Sequence, residues 1–449
     1  MARPLRRLSL PAAGWRAGVL LLAAAAPLGA QQPAAERPPD ILIVMADDLS
    51  VPDLADAPTP SIDALAAAGV TLTQFVGMPI CSPARHALLH GRWPRRSGLG
   101  GNVNSYQPPS ESNVTPSPAL LSLPKVLAQR GYHTALVGKW HLGQAAAAPG
   151  DDPTLTAPQA HGFEHWLAGA PANLRSDGGT GYKKWVRVDD GARRMETEYA
   201  TQAMRDAALD WWQKTPSPKF LLVSLSAPHQ PLSAPPAEML PPGFDANSGA
   251  DRRFLGMVAS IDHVVGKLRA ASDPEHTLFL FLADNGTAPL VHGVKRDEAK
   301  GTTRERGIRV PFVAAGPGVA RGQSCDAQVS IVDVLATLAE VAGASVPVPG
   351  QAGGEDSRSF LGALREPATW QPERAWVLAE RYDGEGDDLA LRTPRWKLRR
   401  DEGVETLVDL ARDPDEEHPL AADGELDAEQ RAALENLRAI LAHDVPPRN

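Results

Sequence analysis

Asp40-Ile41-Leu42-Ile43-Val44-Met45, running into Ala46-Asp47-Asp48, is an unbroken apolar run of strand length that stops at two carboxylates. A strand with one wet face alternates in polarity. One that is apolar at every position belongs in a sheet covered on both sides. The pattern recurs. Thr134 to Val137 ends at Gly138-Lys139-Trp140-His141, Phe220 to Leu225 at Ala227-Pro228-His229, and Leu278 to Leu282 at Ala283-Asp284-Asn285-Gly286. A fifth run, Val310 to Ala315, ends at Gly316-Pro317-Gly318. Helices are predicted between them. Thr59 caps one that opens at Pro60, runs through Leu65 and stops at Gly69; Ser122 to Arg130 stops at Gly131. Longer ones cover Glu196 to Lys214, Phe254 to Ala270 and Ile331 to Val341, the last closed by Gly343. Pro at the first position and Gly past the end are helix punctuation.

Strands alternating with helices predict an α/β fold with a large, mostly parallel sheet sandwiched by helices. Ligands of such sheets bind beyond the carboxyl ends of the strands. Four of the five ends here are polar: Asp-Asp, Lys-x-His, Pro-His and Asp-Asn. Each alone reads as a solvated turn, but all four together predict a polar site along one sheet edge. From Gly350 the pattern changes to a Gly-rich link, a short helix (Ser359 to Leu364) and strands at Ala375–Ala379, Asp388–Arg392, Trp396–Arg399 and Thr406–Asp409. With the charged helix Asp427 to Leu441, this predicts a small C-terminal α+β domain with an antiparallel sheet. The expected division is 1–30 leader, 31–39 Pro-rich spacer, 40–349 large domain and 350–449 small domain.

The leader reading rests on Arg3, Arg6, Arg7 and Arg16 before the apolar stretch Gly18 to Leu28, with Gly29-Ala30 as a small-residue cleavage point. That is the anatomy of a signal peptide, too short to span a bilayer comfortably. Export to the periplasm or outside the cell follows, and Arg6-Arg7 leaves the twin-arginine route open beside the general one. No other segment reaches transmembrane length. The remaining composition, 43% hydrophobic and 22% charged overall, is that of a globular chain. Removing residues 1–30 takes away four arginines and no acids, so the formal charge of −9 becomes −13. So acidic a protein is a poor partner for nucleic acid.

The residue chemistry is specific. Asp47, Asp48, Asp284 and Asn285 offer only oxygen ligands, which suit Ca²⁺, or less readily Mg²⁺, and not Zn²⁺ or copper. Without a cation, three converging carboxylates repel one another. Of the two cysteines, Cys81 precedes Ser82-Pro83-Ala84-Arg85 and a helical run from His86 to His90 stopped by Gly91. Pro83 in a first helical turn puts Cys81 at a helix N-terminus, where negative charge is favoured and thiols become reactive. The plain alternative for an exported protein is a Cys81–Cys325 disulfide. Trp211-Trp212 read as core packing. His86, His90, His133, His161, His165 and His263 read as structural or exposed.

Cys81-Ser82-Pro83-Ala84-Arg85, continuing to Gly91-Arg92, resembles the C-x-P-x-R signature of type I sulfatases, in the alkaline phosphatase-like superfamily. Ala46-Asp47-Asp48 and Asp284-Asn285-Gly286 resemble that family's two metal motifs. Gly138-Lys139-Trp140-His141-Leu142-Gly143 is similar to its second signature, and Pro228-His229-Gln230-Pro231 to its P-H-x-P element. Lys300 to Pro311 resembles the stretch whose lysine contacts sulfate, and Trp396-Lys397-Leu398 with Leu407 to Leu410 the C-terminal subdomain. The resemblance implies an alkaline phosphatase-like fold, a Cys81 oxidised to formylglycine by a formylglycine-generating or sulfatase-maturing enzyme, and a bound Ca²⁺. It implies further that Cys81, as formylglycine, joins Asp47, Asp48, Asp284 and Asn285 as a metal ligand. Hydrated, the aldehyde offers one hydroxyl to attack sulfur and a second whose proton loss expels sulfate, which splits one hard step into two. By the same resemblance Arg85 stabilises that centre, and Lys139, His229 and Lys300 bind the sulfated small molecule or glycan. His229 protonates the leaving oxygen and His141 takes the second hydroxyl's proton. Cys325 is then a free, buried thiol.

The chain departs from the pattern at Ser50, His90, Arg304, Arg306 and Asp356-Ser357. The changes at Arg304 and Arg306 bear on the shape of the loop after Lys300. Two other readings fit the same residues: a phosphodiesterase or phosphonate monoester hydrolase of the superfamily, and a non-catalytic binder of sulfated glycans. Selectivity among sulfate esters belongs to the loops Asn102–Pro118, Gln144–Tyr182 and Leu232–Asp251.

Overall fold

The computed structural model describes residues 37–111, 113–144, 152, 154–348, 350–382 and 387–448. The leader predicted over 1–30 and most of the 31–39 spacer lie outside these residues. Ten strands make the large sheet: β1 (Asp40–Asp47), β2 (Val70–Val76), β3 (His133–Lys139), β4 (His165–Ala170), β5 (Trp185–Asp189), β6 (Ala192–Glu196), β7 (Lys219–Pro228), β8 (Thr277–Ala283), β9 (Phe312–Ala315) and β10 (Gln323–Ser330). Their spatial order is β10-β2-β9-β8-β1-β7-β3-β4-β5-β6.

The centre, β8-β1-β7-β3-β4, is parallel throughout. Every residue of β1, β7 and β8 is buried, as their unbroken apolar runs require. Helices Ala200–Lys214 and Ala250–Ala270 pack on β7. Trp211 and Trp212 are buried in this packing. The sheet is mixed at its flanks. β9 runs antiparallel to both β2 and β8, and β5 and β6 form an antiparallel hairpin beyond β4. Between β8 and β9 the connection Asp284 to Pro311 holds one short helix, Glu305–Ile308.

The second sheet is antiparallel in chain order: β11 (Val377–Tyr382), β12 (Asp387–Arg392), β13 (Trp396–Asp401), β14 (Val404–Asp409) and β15 (Leu420–Ala421). Helix Ala428–His443 begins at a capping box between Asp427 and Gln430 and packs on β12 and β13, with Leu434 and Leu437 buried. From Pro38 onward the chain is one compact unit. Both cysteines are free, buried thiols, so no disulfide joins Cys81 to Cys325.

Candidate functional site

In the order β8-β1-β7-β3, four carboxyl ends lie side by side, and their following turns converge. The turns are sharp. Asp48 (φ 74°) and His141 (φ 59°) both take left-handed backbone, a conformation that costs a non-glycine residue of order 1 kcal/mol and collects at functional sites. Gly138 (φ 92°) has to be glycine, because a Cβ there would lie 2.2 Å from the Ser224 carbonyl oxygen on β7. Facing these turns is the N-terminus of helix Cys81–His90. Ile80 enters it in extended backbone, and Gly91 ends it in left-handed backbone. All ten of its residues are buried.

Cys81 Sγ sits in the middle. It lies 3.3 Å from Asp47 Oδ1, 3.9 Å from Asp48 Oδ1, 3.6 Å from Lys139 Nζ and 3.1 Å from Lys300 Nζ. Lys139 donates to Asp47 Oδ2 at 2.5 Å, and Lys300 pairs with Asp48 Oδ1 at 2.7 Å. Arg85 reaches across the strand ends. Its Nη2 is 3.0 Å from Asp284 Oδ2 and 3.5 Å from Asp47 Oδ1, while Nη1 donates to the Lys139 carbonyl and to Ser224 Oγ. Asn285 Nδ2 donates to Asp48 Oδ1 at 2.7 Å. His229 turns Nε2 towards Asp48 Oδ2 at 3.7 Å, with Nδ1 against the Gln230 carbonyl. His141 is buried among Lys139, Arg85, Asp47 and Lys300, but no hydrogen bond joins it to Cys81 among the described residues. The ten residues singled out in the sequence therefore meet at one sheet edge.

Burial pushes Asp47 up, but Lys139, His229, Arg85 and Lys300 outweigh it and hold its carboxyl well below the usual range. Asp284 goes the other way, to about 7, because burial and the charges of Asp47 and Asp48 exceed the help from Arg85. Burial and the neighbouring Asp47 push the Cys81 thiol up to about 12. Dehydration and the Asp47 carboxylate oppose the effect of the helix N-terminus on this thiol. Burial, then Lys139 and Arg85, lower His141 well below an ordinary histidine. Burial also lowers His229, against the opposing pull of Asp48.

Asp47, Asp48 and Asp284 each offer an oxygen within 4.8 Å of the others. Asp48 Oδ2 and Asn285 Oδ1 are buried and accept no hydrogen bond among the described residues. Lone pairs left bare in a crowd of carboxylates fit a hard divalent cation, and an all-oxygen set of this kind is what Ca²⁺ or Mg²⁺ takes.

Two of the sequence departures support the site jointly. Asp53, fully buried, accepts from Ser50 Oγ and from Arg306 Nη2, the latter at 2.7 Å. The Ser50 N–H donates to Thr287 Oγ1, whose own carbonyl accepts the Lys300 N–H at 2.9 Å. Arg304 Nη1 ties the same loop to the Glu416 carbonyl. The altered loop is therefore fixed, and Lys300 stays at Cys81. The sequence reading missed several supporting residues. Ser82 Oγ donates to the His141 carbonyl at 2.7 Å, Ser224 braces Arg85 and Lys139, and the Tyr182 hydroxyl donates to the Ser226 and His229 carbonyls. For Ser224 there was a signal, a lone hydroxyl inside the apolar run Phe220–Leu225. Beside Lys300 opens a cavity of about 1210 Å³ whose lining also takes Tyr382, Glu402 and Arg448 from the small sheet and the tail.

Residues 39–344 match the sequence profile of the Sulfatase family. N-acetylgalactosamine-6-sulfatase of Sus scrofa is 31% identical over 369 residues, covering 75% of this chain and 68% of that protein. Arylsulfatase A of Homo sapiens is 33% identical over 396 residues, 78% and 72% of the two chains. The solved structure of Ps i-CgsB in complex with k-i-k-neocarrahexaose is similar with a TM-score of 0.73 at 25% identity, over 90% and 92% of the chains.

Proposed function

The chain belongs to the sulfatase family, and from that premise we propose that it hydrolyses sulfate monoesters of carbohydrates with a formylglycine at position 81 and a calcium ion held by Asp47, Asp48, Asp284 and Asn285. It is a sulfuric ester hydrolase of the alkaline phosphatase-like superfamily. The observation that carries the finer reading is the double ring around Cys81 Sγ. Lys139 and Lys300 face it at 3.6 and 3.1 Å, and Asp47 and Asp48 at 3.3 and 3.9 Å.

An aldehyde at position 81 supplies a hydratable carbonyl where a thiol would stay neutral, and a divalent cation supplies Lewis acidity. The side chains do the rest. Lys139 and Lys300 hold the sulfate oxygens, where charge grows as the ester bond breaks. Arg85, fixed by Asp284, Asp47, Ser224 and the Lys139 carbonyl, keeps two carboxylates aimed at one point. His229, its Nδ1 engaged by the Gln230 carbonyl, presents Nε2 to protonate the leaving alcohol. His141, kept neutral by burial and with an unpartnered Nδ1, accepts a proton.

The cavity lining favours carbohydrate over steryl or aryl esters. Gly98, Gly100 and Gly101 line it, Tyr382 is its one aromatic ring among the described residues, and charged groups supply hydrogen bonds for hydroxyls. The N-acetylgalactosamine-6-sulfatase and neocarrahexaose relatives agree with this choice. Export by the residue 1–30 leader completes the proposal, with a maturing enzyme as partner for Cys81. No helix among the described residues is long and apolar enough to cross a membrane.

The first test is the mass of the Cys81 peptide from protein made in a host with a sulfatase-maturing enzyme. An aldehyde or its hydrate is expected, with turnover of 4-nitrophenyl sulfate that chelation abolishes and Ca²⁺ restores. An intact thiol in active protein overturns the formylglycine. Faster turnover of the matching phosphate or phosphonate ester overturns the preference for sulfate.

A further inference from the structure

The cavity is larger than one sulfated sugar ring needs, since pockets that bury a whole drug-sized ligand span roughly 300–1,000 Å³. It opens on the reaction centre at Ile80 and Lys300. Part of its lining is built by chain far from the motifs, the end of β11 and the tail around Arg448. That tail is anchored. Val445 is buried, and the Pro446 carbonyl accepts from Arg95 Nη1 at 2.9 Å. Arg95 is itself buried, and its backbone N–H and Nε grip both oxygens of Glu380 at 2.9 and 2.8 Å. The bracket delivers Arg448 to the cavity.

There the Arg448 guanidinium lies 4.5 Å from the centre of the Tyr382 ring. It also holds the Asp387 carboxylate with both Nη atoms, at 2.6 and 3.3 Å. A planar cation seated on an aromatic face with its fork around an oxyanion is a recognition arrangement for carboxylate or sulfate. Asp387 is 65% exposed and Arg448 42% exposed. A pair so open to water is held by little and exchanges readily for another anion. Towards Lys300 the wall continues with Arg381, whose Nη1 is 3.4 Å from the Gly301 carbonyl.

We propose that Arg448 and Tyr382 form a subsite for an anionic substituent, sulfate or carboxylate, on the sugar next to the one whose sulfate ester is cleaved. Asp387 occupies the fork until that anion displaces it. The substrate is then an anionic oligosaccharide of at least two residues. The inference rests on the reading of the protein as a carbohydrate sulfatase.

The experiment separates the two. Binding is measured by calorimetry on folded protein whose Cys81 remains a thiol, so no turnover is required. The probes are a singly sulfated disaccharide and the same disaccharide with a second sulfate or carboxylate on the neighbouring ring. Wild type should bind the second probe about tenfold more tightly. Arg448→Ala should lose that difference and keep the affinity for the first probe. Asp387→Asn, which removes the competing anion, should increase the difference. Equal affinity of wild type for the two probes, or a preference that survives Arg448→Ala, overturns the subsite. On matured protein, Arg448→Ala should raise KM for the doubly charged disaccharide about tenfold more than it raises KM for 4-nitrophenyl sulfate. If matured wild type cleaves no sulfate ester at all, the sulfatase reading fails while the binding comparison still decides the subsite.

Discussion

Ser224 Oγ accepts from Arg85 Nη1 at 2.5 Å and donates to the Lys139 carbonyl at 2.7 Å, so one buried hydroxyl on β7 fixes residues from a helix and from β3. Arg85 keeps its other partners when the hydroxyl is removed, so the expected loss is alignment more than stability. Ser224→Ala should lower kcat on the order of 10- to 100-fold with KM little changed. The fold should weaken by only about 1 kcal/mol in denaturant titration. Unchanged kcat would relegate Ser224 to packing. Residues of this kind mark the limit of what the sequence reveals. Asp47, Lys139, His229 and Asp284 were legible because each follows an apolar run and breaks its polarity. Cys81 and Arg85 were legible because they share a short motif. Ser224 acts on a backbone carbonyl from inside an apolar run and Tyr182 from a polar Gly-Lys loop, and nothing in their spacing names a partner. Arg448 belongs to the cavity only because the tail folds back onto Arg95, a contact between positions 351 apart.

At the scale of elements, helix Cys81–His90 carries an acid-sensitive seam on the side away from its chemistry. His86 and His90 have ring centres 5.0 Å apart, and His161 lies 5.2 Å from His90 and from Trp140. His90 Nδ1 has the Leu121 carbonyl, but His86 has no partner at either nitrogen among the described residues. Burial, then the neighbouring His90, Arg92 and His161, lowers His86 well below 6.5. Burial pushes His90 down to about 4, helped by Lys125 and Arg92 and opposed by the Leu121 hydrogen bond. A base whose folded pKa is depressed binds protons sooner in the unfolded chain. Stability is therefore intact above about pH 6.5 and declines as pH falls towards 4. His86→Leu removes one such group, so the drop in melting temperature between pH 7.5 and 5 should be smaller in the variant. Parallel melting curves would exclude His86 as a source of acid sensitivity. Elements also differ in how readable they were. The five central runs were visible because both faces are buried. β10, a polar edge strand, and β6, with no fully buried residue, gave no apolar signal, and the helix expected from Glu196 begins at Ala200 because Ala192–Glu196 is β6.

The whole molecule depends on how the small sheet is joined to the Lys300 loop. Glu305, five residues beyond Lys300, is buried and accepts from Lys397 Nζ and Arg392 Nε, both at 3.0 Å. Lys397 also pairs with Glu416 at 3.1 Å, and Glu416 accepts the Glu305 N–H. Burial alone would raise Glu305. Lys397 and Arg392 outweigh it and hold the carboxyl at about 2. Such a cluster adds little relative to a well-packed apolar contact, but removing Glu305 leaves Lys397 with Glu416 and Arg392 with the neutral Gln74, so the buried Arg392 charge loses its balancing carboxylate. Glu305→Ala should therefore cost about 3–5 kcal/mol. Because the lost contact lies between the sheets, its effect should also be visible in cooperativity. Wild type, one compact unit from Pro38 onward, should unfold in denaturant as a single transition, with loss of 4-nitrophenyl sulfate turnover coinciding with loss of helical circular dichroism. In Glu305→Ala the small sheet should detach first, and turnover, which needs Lys300 held at Cys81, should vanish at lower denaturant than the bulk of the helix signal. Glu305→Gln, which keeps an acceptor for Lys397 and Arg392 without the charge, should separate the two curves less than Glu305→Ala does. Coincident curves in all three proteins would mean that packing, not this charged cluster, makes the sheets fold as one.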